Sequence, residues 1–310
     1  MSERAHVVCL GILVADVIAK PVDALPPAGT LELLDEITLH GGGCALNTAT
    51  VLVRFGVPTL VSGKVGDDTF GDFVLGRLAE RGIDSSGVLR DDAVPTSATV
   101  VLVDGRGERT FLHRPGANGA LRADELDRSL VLAGRALHIA GALVMPMLDG
   151  EPTARLLAEA RERGILASLD TVWDASGRWE RALPALPHLD LFTASMSEAC
   201  AISRADDPAT AAAWLRSKGV RRVALKLGPE GCFVADEQGA ERVPAPSVDT
   251  VDGTGAGDAF AAGLLYGLLA DWPLVRAARL ANAAGALATT AVGATEGVGG
   301  LAEATRLAGL

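Results

Sequence analysis

The chain has 310 residues, 49% hydrophobic and 22% charged, enough to bury a large core as one α/β domain or a domain with an appendage. A formal charge of −11 argues against a general nucleic-acid binder, but not against a phosphate site, which local N–H groups decide. Cys9, Cys44, Cys200, Cys232 and the histidines are scattered, so no zinc site is expected and the cysteines read as small buried residues of a reducing compartment. The N-terminal residues lack a basic region and a cleavage signal, and no stretch is long and apolar enough to span a bilayer. A cytoplasmic protein with no membrane partner is expected.

In chain order, His6–Leu13 is a short apolar run ending near Gly11, expected as a buried parallel-type strand. Residues 21–38, with Pro21, Pro26, Pro27 and Gly29, read as an excursion from the core. A helix is expected over 43–56, a strand over PTLVSGKV, and a helix over TFGDFVLGRLAERG closed by Gly82. Residues 97–104 and 108–113 flank Gly105-Arg106-Gly107 and read as a hairpin. Strands follow at 135–140, 165–170, 189–194 and 221–227 with helices between them, then a hairpin at 231–235 and 240–243. Helices 256–270 and 273–289 close the chain. This alternation implies a doubly wound, mostly parallel sheet with helices on both faces, a single domain over 1–310.

The most informative stretch is VDGTGAGDAF at 251–260, which runs into the apolar helix AAGLLYGLLA. A glycine-rich turn at a helix N-terminus offers unpaired N–H groups and the positive end of the dipole, a place for a phosphate. Asp258 stands beside that anion site, where a general base for phosphoryl transfer would stand. Mere complementation of the dipole is worth about 0.3–1 kcal/mol and does not account for three clustered glycines. The stretch lacks the Gly-Lys-Ser/Thr of a Walker A loop, and its G-x-G-x-G spacing is not the dinucleotide fingerprint.

VDGTGAGD resembles the C-terminal signature of the ribokinase-like (PfkB) carbohydrate kinases, and HGGGCALNTATVLVRFG at 40–56 resembles their N-terminal signature. The two stand in the family's order, and the similarity covers essentially the whole chain. The resemblance implies a ribokinase-like fold with a small β-sheet lid, here from segments about 15–40 and 97–113, over the sugar. It also implies a homodimer through that lid. It makes Asp258 the base and the N–H groups of Gly255, Ala256 and Gly257 the anion hole. For the sugar it implies Asp16, just beyond the first strand, with Gly42, Gly43, Asn47, Lys64 and Asn118. Spacing alone leaves Asp16 open as a loop or cap residue and Asn118 as a turn residue.

For ATP the resemblance implies the KLGPEG turn with Lys226, Gly228 and Gly231, together with Thr254, Ser195 and Asn282. Lys226 also reads as a solvated strand end, and Asn282 as a helix-packing contact. Glu198 matches the glutamate that helps hold hydrated Mg²⁺, although Ser195 replaces the asparagine of the family's Asn-x-x-Glu. In members that take a monovalent cation such as K⁺, the matching positions are Asp252, Thr254, Ala288, Ala291, Gly293 and Gly297. The expectation is an ATP-dependent kinase acting on a primary hydroxyl of a small sugar or sugar-like polyol. Gly141 and Ala142 stand where ribokinases often carry an acid, which disfavours plain ribose. The alternatives are a nucleoside kinase of the same family, disfavoured by 4% aromatic content, and an inactive binding protein, disfavoured by the intact Gly255–Asp258 stretch. A nicotinamide-dependent oxidoreductase is weakened by the glycine spacing.

Overall fold

A computed structural model describes residues 6–310. The run VVCLG forms β1 (Val7–Gly11), buried at every residue as a central parallel strand must be. The strand ends at Gly11, where the sequence places its end. After a two-residue break, β2 (Val14–Lys20) joins a different sheet. Asn118 holds the break, accepting from the Leu13 N–H at 3.0 Å and donating to the Leu13 carbonyl at 2.9 Å. Those are the two backbone groups that a continuing strand would have paired.

β3 (Glu36–Gly42) returns antiparallel to β2 and leads into α1 (Cys44–Arg54). Then come β4 (Thr59–Gly66), α2 (Thr69–Glu80) and β5 (Asp84–Asp91). The expected hairpin is β6 (Ala98–Val103) and β7 (Arg109–Arg114). Short helices α3 (Gly116–Ala120) and α4 (Arg128–Val131) precede β8 (Ala136–Ala142), α5 (Glu151–Glu162) and β9 (Leu166–Thr171). A 3₁₀ segment, Trp179–His188, leads to β10 (Leu191–Ser195), α6 (Met196–Ser203) and α7 (Pro208–Ser217). β11 (Val223–Lys226), β12 (Cys232–Ala235) and β13 (Ala240–Val243) follow. The chain closes with α8 (Ala256–Leu269), α9 (Leu274–Ala288) and an additional helix, α10 (Leu301–Leu307), so the expected final pair is not the end.

The main sheet has nine strands in the order β13-β12-β11-β10-β9-β8-β1-β4-β5. Strands β5 through β11 in that order are parallel, and the β11–β12–β13 hairpins turn the edge antiparallel. One core cluster includes Leu52 and Leu78 with Leu264 and Leu280 of α8 and α9; the other includes Leu156, Leu157 and Leu215 of α5 and α7. Helices thus cover both faces of a doubly wound sheet. The second sheet, β3-β2-β6-β7, contains both segments expected in the lid. Register puts Val17 beside Leu39 and Val100, and Val100 beside Leu112, so these four share one face. Asp16, His40, Thr99 and His113 share the opposite face.

Candidate active site

The glycine-rich turn leads directly into α8. Gly255 precedes α8 at φ 75°, and a Cβ there would stand 2.0 Å from the Ala294 carbonyl oxygen. Only glycine fits on both counts. The N–H groups of Gly255, Gly257 and Asp258 have no backbone acceptor, whereas that of Ala256 turns back toward the Gly253 carbonyl at 3.4 Å. Asp258 lies in the first turn of α8 and is buried. Its Oδ2 accepts from Asn47 Nδ2 at 2.8 Å, and the Thr48 hydroxyl donates to its carbonyl. Burial pushes its carboxyl up to about 6, with Asp170 adding to the rise; the Asn47 and Cys44 hydrogen bonds and the Lys226 charge oppose it. A carboxylate poised there is ionised at neutral pH and still basic enough to take a proton.

α1 supplies the other wall. Asn47 is buried, and its Oδ1 has no partner, an unused acceptor beside Asp258. Asp16 lies beyond the first strand as expected, inside β2 and paired in register with His40 and Thr99, so it is neither a loop nor a cap residue. A Cβ at Gly42 would fall 2.0 Å from Asp16 Oδ2, so Gly42 is what lets that carboxylate lie against the start of α1. Gly43 is the residue just before α1. Burial raises the Asp16 carboxyl, against the opposing pull of Thr99 and His40.

Two expected sugar residues are engaged elsewhere. Lys64 Nζ donates to Glu125 at 2.6 Å, Asp91 at 3.0 Å and the Ala120 carbonyl at 3.5 Å, which uses all three of its N–H donors. Both ends of the Asn118 amide hold Leu13, as described above. Their neighbours place them in the scaffold beneath the lid.

At the next strand ends, Lys226 closes β11 and donates to Asp170 of β9 at 2.7 Å. The KLGPEG turn places Gly228 and Gly231 at either end of a short 3₁₀ turn. Ser195 caps α6 in a capping box with Glu198, whose Oε2 accepts from the Ser195 N–H at 2.8 Å and the Thr171 hydroxyl at 2.9 Å. Asn282 is buried in α9 and donates to the carbonyls of Val243 and Pro244, fastening the end of β13.

Asp252 Oδ1 accepts from the Thr254 N–H at 2.7 Å and Oδ2 from the Gly293 N–H at 3.0 Å. Arg109 of β7 forms an ion pair with Asp252 and donates to the Thr254 hydroxyl, joining the small sheet to the glycine-rich turn before α8. Burial would raise the Asp252 carboxyl, but those N–H groups and Arg109 hold it below the usual carboxylate range. Ala288 ends α9, and Ala291, Gly293 and Gly297 lie in the segment that backs this loop. Among the described residues no group of three or more His, Cys, Asp and Glu side chains is placed to hold a metal ion.

Sequence reasoning missed Asp170 and Arg109. Asp170 had a signal, an acid at the C-terminal end of an otherwise apolar parallel strand, where ligands bind in open α/β sheets. Arg109 had none, because nothing local reveals where a lid strand points. A separate groove of about 870 Å³ includes Arg135, Arg161, Arg216, Arg221 and Arg222 in its lining and contains none of the site residues.

The profile described as "pfkB family carbohydrate kinase" matches residues 4–298. A fructokinase of Klebsiella pneumoniae is 34% identical over 82% of this chain and 87% of its own length. An E. coli structure described as ribokinase II in complex with ATP and Mg²⁺ superimposes with a TM-score of 0.85, at 25% identity and 98% coverage of each chain. An Arabidopsis thaliana ribokinase complexed with ribose and ATP shares the fold at TM-score 0.87 and 21% identity, covering 99% of this chain and 100% of its own. With both signatures folded into one crevice and a match over nearly its full length, this chain belongs to the pfkB family of carbohydrate kinases.

Proposed function

We propose that the chain transfers the γ-phosphoryl group of ATP to a primary hydroxyl of a small sugar or sugar-like polyol, with Asp258 as general base. The observation that carries this is a buried carboxylate with its pKa raised to about 6, in the first turn of a helix where the Gly255, Gly257 and Asp258 N–H groups have no backbone acceptor among the described residues. The acceptor hydroxyl gives its proton to Asp258 as its oxygen bonds to the γ-phosphorus. The bond to the β-phosphate oxygen breaks, and its electron pair stays on ADP. The N–H groups of Gly255 and Gly257, with Ala256 between them, take the charge on the moving phosphoryl oxygens. Asp16 and Asn47 bind sugar hydroxyls, the first through two acceptor oxygens and the second through its unpaired Oδ1.

Glu198 fits a water-mediated Mg²⁺ contact. One carboxylate oxygen is held by Ser195 and Thr171, the other has no protein partner, and Mg²⁺ usually takes few protein ligands. When bound, Mg²⁺ neutralises phosphate charge; Glu198 orients its water shell. Asp252 is neutralised by Arg109, so the proposed reaction runs without K⁺ at that carboxylate. The lid's outward apolar face, with Ile37 68% and Leu112 56% exposed, supports a homodimer through the lids.

Sequence similarity to fructokinases favours a ketohexose among the sugars. The test is coupled ADP release with the purified chain, ATP and Mg²⁺ over ketohexoses, pentoses, keto-acid sugars and nucleosides. A sugar-dependent rate is expected. ADP release only with nucleosides would replace the sugar reading, and none with any acceptor would overturn the kinase reading.

A further inference from the structure

Lys226 is placed where a purely structural lysine has no reason to be. It ends β11 with its side chain 18% exposed, opposite Asp170, which is 4% exposed. One of its three N–H donors meets Asp170 Oδ1 at 2.7 Å, and the other two have no acceptor among the described residues. Thr193 donates to the same Asp170 oxygen at 2.6 Å, so the carboxylate is fixed from two sides and the ammonium is fixed with it. Burial alone would strip its proton; Asp170 and Glu198, with help from Asp258, hold its affinity above the usual lysine value. The group is a permanent cation with one of its three donors paired.

Its direction is the second observation. Lys226 Nζ stands 3.2 Å from the position a Cβ would take at Gly257, in the first turn of α8. That end of a helix is positive. Two positive features therefore face each other across the crevice, and a buried ammonium with two unused donors costs stability unless something accepts from it. An anion between them would take hydrogen bonds from both, from the ammonium on the strand side and from the N–H groups of Gly255 and Gly257 on the helix side. Asp258 is in the same helical turn as Gly257. The anion that fits is the one next to the base.

We propose that Lys226 is a catalytic residue of phosphoryl transfer, its ammonium contacting the oxygens of the transferred group opposite the anion loop while Asp170 positions it. This rests on the kinase reading given above. The bonds made and broken are those of that reaction. Lys226 keeps its proton throughout and neutralises charge that builds as the bond to the β-phosphate oxygen lengthens. Asp170 touches no substrate and acts through Lys226.

The experiment compares the wild type with Lys226→Met, Lys226→Arg and the charge-neutral double variant Lys226→Met/Asp170→Asn. The double variant guards against unfolding, since neutralising both partners of a buried pair is tolerated far better than removing one. Two readouts are used: kcat on the best sugar, and affinity by calorimetry for ADP alone and for ADP with aluminium fluoride, which mimics the moving phosphoryl group. In Lys226→Met and the double variant, kcat should fall about 10²–10³, the usual worth of one group stabilising transition-state charge. ADP affinity should stay within about threefold, and the extra affinity contributed by aluminium fluoride should vanish. Lys226→Arg should recover part of both. A double variant that turns over and binds aluminium fluoride like the wild type would reduce Lys226 to a structural partner of Asp170. Absence of sugar-dependent transfer in the wild type would instead remove the kinase reading, and this proposal with it.

Discussion

Asp258 is a poor residue for stability, and that distinguishes its roles. Its carboxyl is raised from 3.8 to about 6, so the folded state binds its proton more tightly than the unfolded state does. The burial penalty is fully present above about 6 and fades as pH falls toward 4. Asp258→Asn should therefore melt no lower than the wild type at pH 7.5, and up to about 3 kcal/mol of stability is available to it, an advantage that shrinks in acid. Its turnover should fall about 10²–10⁴. In the wild type, kcat/KM should rise with pH through about 6 and then level, because the ionised carboxylate is the active form. Near-normal turnover in the Asn variant would end the base assignment. For the sugar side, Asp16→Ala should weaken sugar affinity at least tenfold by calorimetry and leave ATP affinity unchanged, since each charge-assisted hydrogen bond is worth about 1.5–3 kcal/mol.

At this scale legibility followed locality. Gly255 and Asp258 were legible because the demands on them, a left-handed turn and a helix start, are met within a few residues. Lys64 was misleading because its three acceptors come from β5, α3 and Glu125, distant segments that no spacing in GKVGDD reveals. Asn282 and Asn118 each read as a ligand or as a fastener, and both side chains donate to backbone carbonyls.

Among the elements, the parallel strands and long helices were legible because burial on both faces writes continuous apolar runs. β5 was not, since DSSGVLRD is a partly exposed edge strand with no such run. β1 ends at Gly11 as read, but the strand that restarts at Val14 carries no local signal; Asn118, 105 positions away from Leu13, holds the break between the two. α6 carries a prediction of its own. Ser195 stands where a nucleotide contact is implied, but its hydroxyl accepts from the Glu198 N–H at 3.3 Å as a helix cap. Ser195→Ala should lower stability by about 1 kcal/mol in urea unfolding, as loss of a cap does. If the hydroxyl serves only as a cap, KM for ATP should change less than twofold; a tenfold rise would give Ser195 a place on the nucleotide.

On the scale of the whole molecule, the lid presents Val17, Leu39, Val100 and Leu112 on one face, with Ile37 and Leu102 on the same side by register. A four-stranded sheet with such a face is a surface in want of a cover. Light scattering at micromolar concentration should report a dimer, and Ile37→Lys with Leu112→Lys should give a monomer whose melting temperature no longer depends on protein concentration. A wild type that is monomeric throughout would refute the lid pairing.

The hydrogen bond from Asn47 to Asp258 joins residues 211 positions apart. Seen in the order in which the chain is made, the residues proposed for the sugar come early and the proposed base comes near the end. Until α8 emerges and docks against α1, the chain lacks Asp258. Two pieces separated between β13 and α8 should each be inert, with activity returning only on mixing and rising with the product of their concentrations.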